Sequence, residues 1–424
     1  MAGTYLRRHV DGLLETYLAE FPAIMLVGPR ACGKTTTAAR HAAAVLRLDT
    51  AQGSDALRAD PDAALRNRPE PLLLDEWQEY PPVMGAVKRA VDAERRPGRF
   101  LITGSARSNT DERLWPGTGR VVMLPMYPLT VAETRGRPLR PFIDRVVAGE
   151  VLSGDEALPD LSDYLGMALR GGFPEPALEL GEAGAQRWLA SYADQAALRD
   201  ARSHDRMPDA SRLRRYLEAL ALNSAGTPQD KTLYEAAGID RRTARAYEQL
   251  LSDLVLVDHL EAWSTNRLKR MSRTPKRYLI DSGLMAGILG LSHEDILGDS
   301  AMLGALIDTF VAAQLRAEAP AATTRYRLSH LRDQNGRREV DVIAELPRGR
   351  LIGIEIKAAA SVRRSDTRHL AWLRDSIGES FVAGLVLHTG HDTVQLDDRI
   401  VAAPISALWS PRPNGQQSFT TQGD

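Results

Sequence analysis

The sequence predicts an α/β protein whose first domain is built on a parallel sheet, and three observations support this. Five short, almost continuously apolar segments alternate with helix-favouring stretches, and they cover residues 23–27, 45–49, 71–75, 99–103 and 120–124. Such strands are typical of parallel sheets that helices cover on both faces. The first segment leads into a glycine-rich loop, and the third ends in two carboxylates. Residues 1–155 are therefore expected to form one nucleotide-binding α/β domain.

The glycine-rich loop after the first strand matches GxxxxGK[ST], the Walker A phosphate-binding pattern. Its glycines let backbone N–H groups converge on phosphate oxygens, and the helix that follows adds its positive end. Lys34 is expected to contact the β- and γ-phosphates of ATP, and the Thr35 hydroxyl to ligate Mg²⁺. The residues predicted to bind the nucleotide are Gly28, Pro29, Arg30, Ala31, Cys32, Gly33, Lys34, Thr35 and Thr36.

Cys32 is the only cysteine of the chain and lies inside this loop. It is either a small, tolerated residue or a thiolate that the helix N-terminus stabilises. The second interpretation predicts that alkylation blocks nucleotide binding and that bound ATP protects the thiol.

Two later strands end in the polar groups that ATP hydrolysis needs. Asp75 and Glu76 close the third strand in the Walker B manner, Asp75 to hold Mg²⁺ and Glu76 to polarise the attacking water. Adjacent strand residues point to opposite faces, so the two carboxylates can serve different partners. The fourth strand ends near Thr103 and Ser105, either of which can orient water near the γ-phosphate. This order of motifs favours the ATPase class with an extra central strand and a catalytic glutamate.

Composition limits the function classes. The chain has 54 Lys and Arg against 55 Asp and Glu, a formal charge of -1, so bulk charge favours no partner. No apolar run approaches the roughly 20 residues that span a bilayer, and the first residues do not resemble a secretory signal. A single cysteine excludes an internal disulfide and disfavours structural zinc. These features predict a cytoplasmic protein with no membrane partner.

The middle of the chain favours helices. Residues 156–208 are expected to form a helical lid or linker. Residues 209–265 contain a turn at Gly238 and an N-cap at Asp240 between two helical stretches, which is typical of a helix-turn-helix. A hairpin over 254–260 would complete a winged-helix module. Three arginines of the second helix either contact DNA phosphates or form an ordinary solvated helix face. They are Arg241, Arg242 and Arg245.

The segment 267–277 follows, with six cationic residues and no acidic one. It is either a solvated loop or a contact with a nucleic-acid backbone, DNA being favoured. Its cations are Arg267, Lys269, Arg270, Arg273, Lys276 and Arg277.

The C-terminal region holds a D…ExK arrangement on two strands joined by a turn at 347–350. Asp341 and Glu355 can bind Mg²⁺, which would activate water, and Lys357 can stabilise charge. Asp308 can add a carboxylate from a helix. The pattern is typical of restriction-endonuclease-like folds, but a polar hairpin edge and a nuclease-like fold without activity are the alternatives.

Taken together, these motifs resemble the bacterial and archaeal ATPases that pair an AAA-type domain with a C-terminal DUF4143 domain. The resemblance covers nearly the whole chain and rests on residues 28–35, 74–78, 101–105, 119–120, 127–129, 171–175, 274–284, 339–341 and 355–357. It implies an AAA-type ATPase domain that binds ATP, and a nuclease-like α/β domain over 266–410. Residues 411–424 are expected to form a flexible tail.

Two departures from the family pattern affect the site. The family usually has Glu where this chain has Asp308, a shorter carboxylate that needs a closer metal. The segment 115–119 differs from the usual form before Arg120. Arg120 is thus either an arginine finger in trans, which requires a homo-oligomer, or a charge at a strand edge.

Three functions are compatible with the sequence. The first is an ATP-driven switch or motor on nucleic acid, and the motifs favour it. The second is an ATP-gated, metal-dependent nuclease. The third is a regulator in which the nucleotide sets the conformation and the winged helix contacts a protein.

Overall fold

The computed structural model describes residues 5–104, 118–136, 140–199, 209–266, 270, 273–333 and 336–410. The chain divides into two compact units. One comprises Met1–Pro128 with Gln249–Leu256, and the other Leu129–Glu248 with Val257–Asp424. The predicted tail 411–424 lies outside the described residues.

The first unit contains a five-stranded sheet in which every neighbouring pair is parallel, as the apolar segments predict. Its strands are β1 (Ala23–Val27), β2 (Ala44–Arg47), β3 (Leu72–Asp75), β4 (Phe100–Gly104) and β5 (Val121–Pro125), in the order β2-β3-β4-β1-β5. The predicted extra central strand is β4, because it separates the Walker A strand β1 from the Walker B strand β3.

Helices cover both faces of this sheet. Alternate residues of β1 enter two different apolar clusters, Met25 and Val27 in one and Ile24 and Leu26 in the other. A strand that is buried on both faces must be apolar at every position, which explains the continuous hydrophobic run. The helices of this region are α1 (His9–Glu20), α2 (Lys34–His41), α3 (Ala51–Ala59), α4 (Pro61–Leu65) and α5 (Val83–Ala93).

The later helices follow β5. They are α6 (Val131–Thr134), α7 (Phe142–Val147), α8 (Leu161–Arg170), α9 (Pro174–Leu178), α10 (Glu182–Arg199), α11 (Ala210–Leu222), α12 (Asp230–Ala236), α13 (Arg241–Asp253), α14 (Ser282–Leu289), α15 (His293–Gly298), α16 (Ser300–Glu318) and α17 (Arg368–Ile377). Among the helices that the structure describes, none has the length and apolar character to cross a lipid bilayer.

The second unit contains a mixed eight-stranded sheet. Its strands are β6 (Val257–Ala262), β7 (Lys276–Leu279), β8 (Arg327–Arg332), β9 (Glu339–Glu345), β10 (Leu351–Lys357), β11 (Phe381–His388), β12 (Val394–Asp397) and β13 (Ile400–Pro404), in the order β12-β13-β11-β10-β9-β8-β6-β7. The predicted pair of strands around 347–350 is the antiparallel pair β9 and β10.

The hairpin predicted over 254–260 is wrong. The strand that follows α13 begins at Val257 and pairs with β7, about twenty residues later, and with β8. Because its partners lie beyond residue 260, β6 forms an antiparallel pair with β7 at the edge of the large sheet and no hairpin within 254–260.

Two of the motifs that carry the family resemblance, residues 171–175 and 274–284, contact each other inside the second unit. The Asp281 carboxylate accepts hydrogen bonds from the N–H of Gly172 (2.7 Å) and from the N–H of Leu284 (2.9 Å), where it caps α14. A Cβ at Gly171, whose φ is +68°, would lie 2.2 Å from Asp281 Oδ1. The double glycine therefore permits the close approach of this buried carboxylate.

Glu318, the last residue of α16, is a buried carboxyl that contributes a pH-dependent term to stability. It is 2% exposed and accepts a hydrogen bond from the N–H of Phe142 (2.7 Å). Burial raises its pKa to about 8, although Phe142 and Arg145 oppose the shift. A carboxyl whose pKa is raised by folding costs stability when it ionises, so its contribution falls as pH rises from the unfolded pKa towards 8.

The Glu318→Gln variant should therefore gain stability over wild type as pH rises. The amide oxygen still accepts the Phe142 hydrogen bond, and no proton is lost. We expect equal free energies of unfolding near pH 4 and a gain of roughly 3–5 kcal/mol near pH 8.5, measured by urea titration. A gain that does not vary with pH would contradict this account. Glu179→Gln, at an exposed position, is the control.

Candidate functional site

The Walker A loop is shaped by two glycines with different tasks. Gly28 lies where a Cβ would come within 2.0 Å of the Met126 carbonyl oxygen, so only glycine lets the chain after β5 pass so close. Gly33 has a φ of +97° and forms the N-cap of α2. The loop thus turns sharply between the end of β1 and the first turn of α2, as the motif predicts.

Lys34, the first residue of α2, turns its ammonium into the loop. Its Nζ donates to the carbonyl oxygens of Gly28 (3.0 Å) and Pro29 (2.7 Å), and the residue is only 5% exposed. This arrangement places a positive charge within the loop that is expected to bind phosphate.

Three motifs that are distant in sequence meet at the Asp75 carboxylate. Asp75 Oδ1 accepts hydrogen bonds from the hydroxyls of Thr35 (2.7 Å) and Thr103 (2.5 Å). The strand order explains the convergence, because β4 lies between β1 and β3 and brings its end beside both. Asp75 and Thr103 are buried, at 1% and 0% exposure. Thr103 therefore orients the carboxylate, whereas Ser105, the other predicted sensor, lies outside the described residues.

Glu76 does not continue β3, which ends at Asp75. Its φ of +57° and ψ of +53° are left-handed, a conformation that non-glycine residues adopt rarely and that is often found at functional sites. This turn, and not strand alternation, separates its carboxylate from that of Asp75. The Gln78 side-chain amide donates to Glu76 Oε2. A Cβ at Gly104 would lie 2.5 Å from Trp77 Nε1, so glycine there admits the turn that carries Gln78.

Arg8 was not among the predicted residues, yet it supports the phosphate loop. It is 5% exposed, and its guanidinium donates to the carbonyl oxygens of Cys32 (3.0 Å) and Tyr127 (2.7 Å). Asp11 on α1 accepts from the Tyr5 hydroxyl (2.9 Å) and contacts His41 of α2 at 3.0 Å. These bonds tie the first helix to the loop and to the helix that follows it.

Cys32 is a buried small residue. It is fully shielded from solvent, and its Sγ lies 3.7 Å from the Met126 carbonyl oxygen. This burial favours the interpretation of a small, tolerated residue, and the alkylation experiment stays the test of the reactive thiolate.

Arg120 does not belong to the phosphate site of its own chain. It precedes β5, whose first residue, Val121, pairs with Ala23 at the start of β1. The phosphate loop follows the other end of β1, about 13 Å away along the strand. Arg120 instead contacts Asp92 at 2.9 Å on the surface. Its role in the site of a second copy, and the homo-oligomer that this requires, stay predictions.

The D…ExK residues lie near one another, but a lysine stands between the predicted metal ligands. Lys276 Nζ lies 2.6 Å from Asp308 Oδ2 and 3.2 Å from Asp341 Oδ1. The lysine is 2% exposed, and Tyr278 donates to Asp308 Oδ1 at 2.8 Å. Burial alone would lower the pKa of Lys276, but the two carboxylates raise it well above its ordinary value. One internal ammonium thus offsets part of the negative charge of this pair.

The rest of this cluster is also paired within the protein. Lys357 Nζ lies 3.2 Å from Glu355 Oε2, and Asp341 Oδ2 accepts from the N–H of Ile356 at 3.0 Å. Burial and the nearby Asp341 raise the pKa of Glu355 to about 8. In the part of the chain that the structure describes, no group of three or more His, Cys, Asp and Glu side chains is arranged to hold a metal ion. This arrangement does not favour the predicted metal site at Asp308, Asp341, Glu355 and Lys357, which stays a prediction.

The helix-turn-helix signals fall where predicted. Gly238 has a φ of +63°, and Asp240 Oδ1 accepts from the N–H groups of Arg242 (2.8 Å) and Thr243 (3.0 Å) at the start of α13. The three arginines predicted to face phosphates are exposed, and they are Arg241, Arg242 and Arg245.

The predicted basic segment 267–277 does not present a row of free cations. Arg277 is paired with Glu248 (2.7 Å) and Asp230 (2.6 Å), and Arg270 with Glu345 (2.6 Å). Lys276 is held in the carboxylate cluster, and Arg267 and Lys269 lie outside the described residues. The acidic partners come from other elements, so the run of sequence without acids was misleading.

Three family models match successive parts of the chain. They are an AAA domain over residues 20–135, a domain of unknown function (DUF8612) over 161–295, and a domain of unknown function (DUF4143) over 303–408. Two curated relatives are uncharacterized proteins, Mb2031c of Mycobacterium bovis and Rv2008c of Mycobacterium tuberculosis. Each is 30% identical over 414 residues, which is 95% of this chain and 84% of the relative. The chain belongs to this family of AAA-domain proteins with a C-terminal DUF4143 domain.

The resemblance drawn from the sequence is thereby confirmed. A solved structure, the Walker-type ATPase PABY2304 of Pyrococcus abyssi, is similar over 68% of this chain and 96% of that one, with 12% identity and a TM-score of 0.41. A score at this level does not establish a common fold. The AAA domain match covers the whole of the phosphate loop and the Asp75 cluster, so the family assignment and the site geometry refer to the same residues.

Proposed function

We propose that this AAA-DUF4143 protein is a Mg²⁺-dependent ATPase that acts as a switch or motor on nucleic acid. The observation that carries the ATPase proposal is the Asp75 carboxylate, which gathers the Thr35 and Thr103 hydroxyls beside the buried Lys34 ammonium. A carboxylate and a hydroxyl supply the oxygen ligands that Mg²⁺ prefers. Thr35 and Asp75 would hold it, and it would neutralise charge on the β- and γ-phosphates.

The residues then have separate tasks in hydrolysis. Backbone N–H groups of the loop and Lys34 bind the phosphates and stabilise the charge that develops on them. Thr103 fixes the direction of the Asp75 carboxylate. Glu76, turned out of the strand by its left-handed backbone, accepts a proton from the attacking water.

The rest of the proposal concerns the chain from residue 209 onward. We propose that α11–α13 with β6 and β7 form a winged-helix-like module and that β8–β13 form a restriction-endonuclease-like domain. The Gly238 turn, the Asp240 cap and the placement of Asp341 and Glu355 on β9 and β10 support this. The Lys276 ammonium between the carboxylates does not favour a metal-dependent nuclease, so we propose a binding role for this domain.

Phosphate release by the purified full chain tests the proposal. We expect MgATP turnover that rises when single-stranded DNA is added. Lys34→Ala should lower turnover by about 100-fold and weaken MgATP binding in calorimetry, because the loop loses its fixed charge. Lys231→Ala is a matched control, since that lysine lies on the surface with 66% of its side chain exposed.

The outcomes separate the alternatives. No heat on titrating wild type with MgATP would overturn the ATPase proposal. Binding without turnover, with and without DNA, would favour the nucleotide-dependent regulator of protein contacts. ATP turnover that does not change when nucleic acid is added would overturn the proposed nucleic-acid target but not the ATPase proposal.

A further inference from the structure

The second unit carries an arginine-lined groove of about 800 Å³ that the proposed ATPase cycle does not use. It lies where β8 begins and β9 ends, next to the turn that joins β9 to β10. Arg327 and Glu345 are direct partners across these two strands. Asp341 of the carboxylate cluster lies four residues earlier on β9, about 13 Å along the strand, so the two sites are distinct.

The charge of the groove is positive although the chain as a whole is nearly neutral. Four arginines and two glutamates border it, Arg270, Arg325, Arg327 and Arg348 against Glu261 and Glu345. A concave surface that gathers one sign of charge raises the local concentration of the opposite ion.

Arg270 is paired with Glu345, whereas the other three arginines have no carboxylate partner in the part of the chain that the structure describes. Arg270 grips Glu345 through two hydrogen bonds of 2.6 Å and 3.1 Å. Among the described residues, no carboxylate lies within 4.0 Å of the Arg325, Arg327 or Arg348 guanidinium, and all three arginines are exposed. The positive charge of these three exposed arginines at one groove is therefore available to an external anion.

The shape and the side chains indicate which anion. Guanidinium groups form paired hydrogen bonds with phosphate oxygens, which a flexible ammonium cannot reproduce. Tyr326 is one of the lining residues, between Arg325 and Arg327, and its hydroxyl donates to the Leu315 carbonyl oxygen at 3.1 Å. Cationic grooves with fixed aromatic rings are typical of sites for single strands, whose bases are free to stack. A volume near 800 Å³ admits a few nucleotides of a strand but not the body of a duplex.

We infer that this groove binds single-stranded nucleic acid through its phosphate backbone, with Arg325, Arg327 and Arg348 as the contacts. The inference rests on the proposed nucleic-acid target and says where on the protein that nucleic acid binds. It does not use α13, whose exposed arginines are the competing surface.

Fluorescence anisotropy of a labelled single-stranded DNA 12-mer with the full chain tests this inference. The triple variant R325Q/R327Q/R348Q should bind about 100-fold more weakly at low salt. The slope of log K against log salt should fall by about 2, because each lost phosphate contact on a single strand releases about 0.7 fewer counterions. The matched control is R241Q/R242Q/R245Q on α13, which removes the same charge from exposed positions, and all three proteins should share one thermal midpoint.

The outcomes distinguish the groove from α13 as the binding surface, and nucleic acid from other anions as the ligand. Equal binding by wild type and the groove variant, with loss in the α13 variant, would overturn the groove and leave the proposed target standing. No binding by wild type would overturn both the target and the groove, while ATP turnover in the same sample would leave the ATPase proposal intact. Displacement of the DNA by an equal concentration of a polyglutamate peptide would show that the groove takes acidic peptides instead. Displacement by millimolar inorganic phosphate alone would show a site for one phosphate only.

Discussion

Replacing Glu76 by glutamine should leave MgATP bound and lower its turnover by about 1,000-fold. Glutamine keeps the length of the side chain and can still accept the hydrogen bond from Gln78, so the left-handed turn after Asp75 should persist. It cannot accept a proton from water at neutral pH. The effect should therefore fall on kcat of phosphate release, with the Kd for MgATP changing by less than about threefold, a difference of under about 0.7 kcal/mol.

Glu79→Gln is the matched control for this variant. Glu79 lies three residues further on and is exposed, and its replacement by glutamine also removes one negative charge. Its turnover should equal that of wild type. Unchanged turnover in Glu76→Gln would remove Glu76 from the hydrolytic step. A loss of MgATP binding would instead show that the carboxylate supports the phosphate loop.

The parts of this site that the sequence predicted are those set by local physics. Strands buried on both faces have to be apolar throughout, so β1, β3 and β4 were visible as uninterrupted runs. The loop between β1 and α2 needs glycine at 28 and 33 because of a close carbonyl and a positive φ. Such requirements leave a short, readable pattern.

What the sequence did not predict depends on partners that are far away along the chain. Arg8 resembles a surface arginine at the start of a helix, yet its acceptors are the carbonyl groups of Cys32 and Tyr127, 24 and 119 residues away. The same limitation affects β6, because its pairing with β8 is a matter of sheet assembly. No window of sequence contains either interaction.

Lys276 shows this limitation most clearly. It stands in a run of six cations with no acid nearby in sequence, which is the pattern of a solvated basic loop. Its two carboxylates come from α16 and β9, 32 and 65 residues further along. Charge patterning along a sequence therefore predicts the sign of a segment but not whether its charges are available.

Replacing Lys276 by methionine should destabilise the second unit by about 3–5 kcal/mol at neutral pH, since it leaves the buried Asp308 and the partly buried Asp341 without their shared counter-charge. Methionine keeps an unbranched apolar chain, so the packing around Tyr278 changes little and the loss is electrostatic. Urea unfolding of the full chain measures it, with Lys231→Met on the surface as the control. The triple variant K276M/D308N/D341N should recover most of the loss, because amides remove the charges that need the ammonium.

The pH dependence of this loss has a definite sign. In wild type, burial already raises the pKa of Asp308, whereas Lys276 helps to hold the pKa of Asp341 below its ordinary value. Without the ammonium, the pKa values of both carboxyls in the folded state rise. The penalty is then largest at neutral pH and shrinks as pH falls towards 4, because the variant's two carboxyls become protonated in the folded state. A loss that is the same at pH 4.5 and at pH 7.5 would show that packing, and not charge, is responsible.

The same variant decides whether the lysine takes the place of a metal ion. In nucleotide-free wild type, millimolar Mn²⁺ should not raise the unfolding midpoint of the second unit, because the ammonium already lies between the two carboxylates. In Lys276→Met, Mn²⁺ should stabilise the unit, since a ligand that binds only the folded state adds RT ln(1 + [L]/Kd) to its stability. Stabilisation of wild type by Mn²⁺, absent in D341N, would instead show that Lys276 moves aside and that the cluster is a working metal site. DNA cleavage by this domain would be worth measuring only if Mn²⁺ stabilises wild type and not D341N.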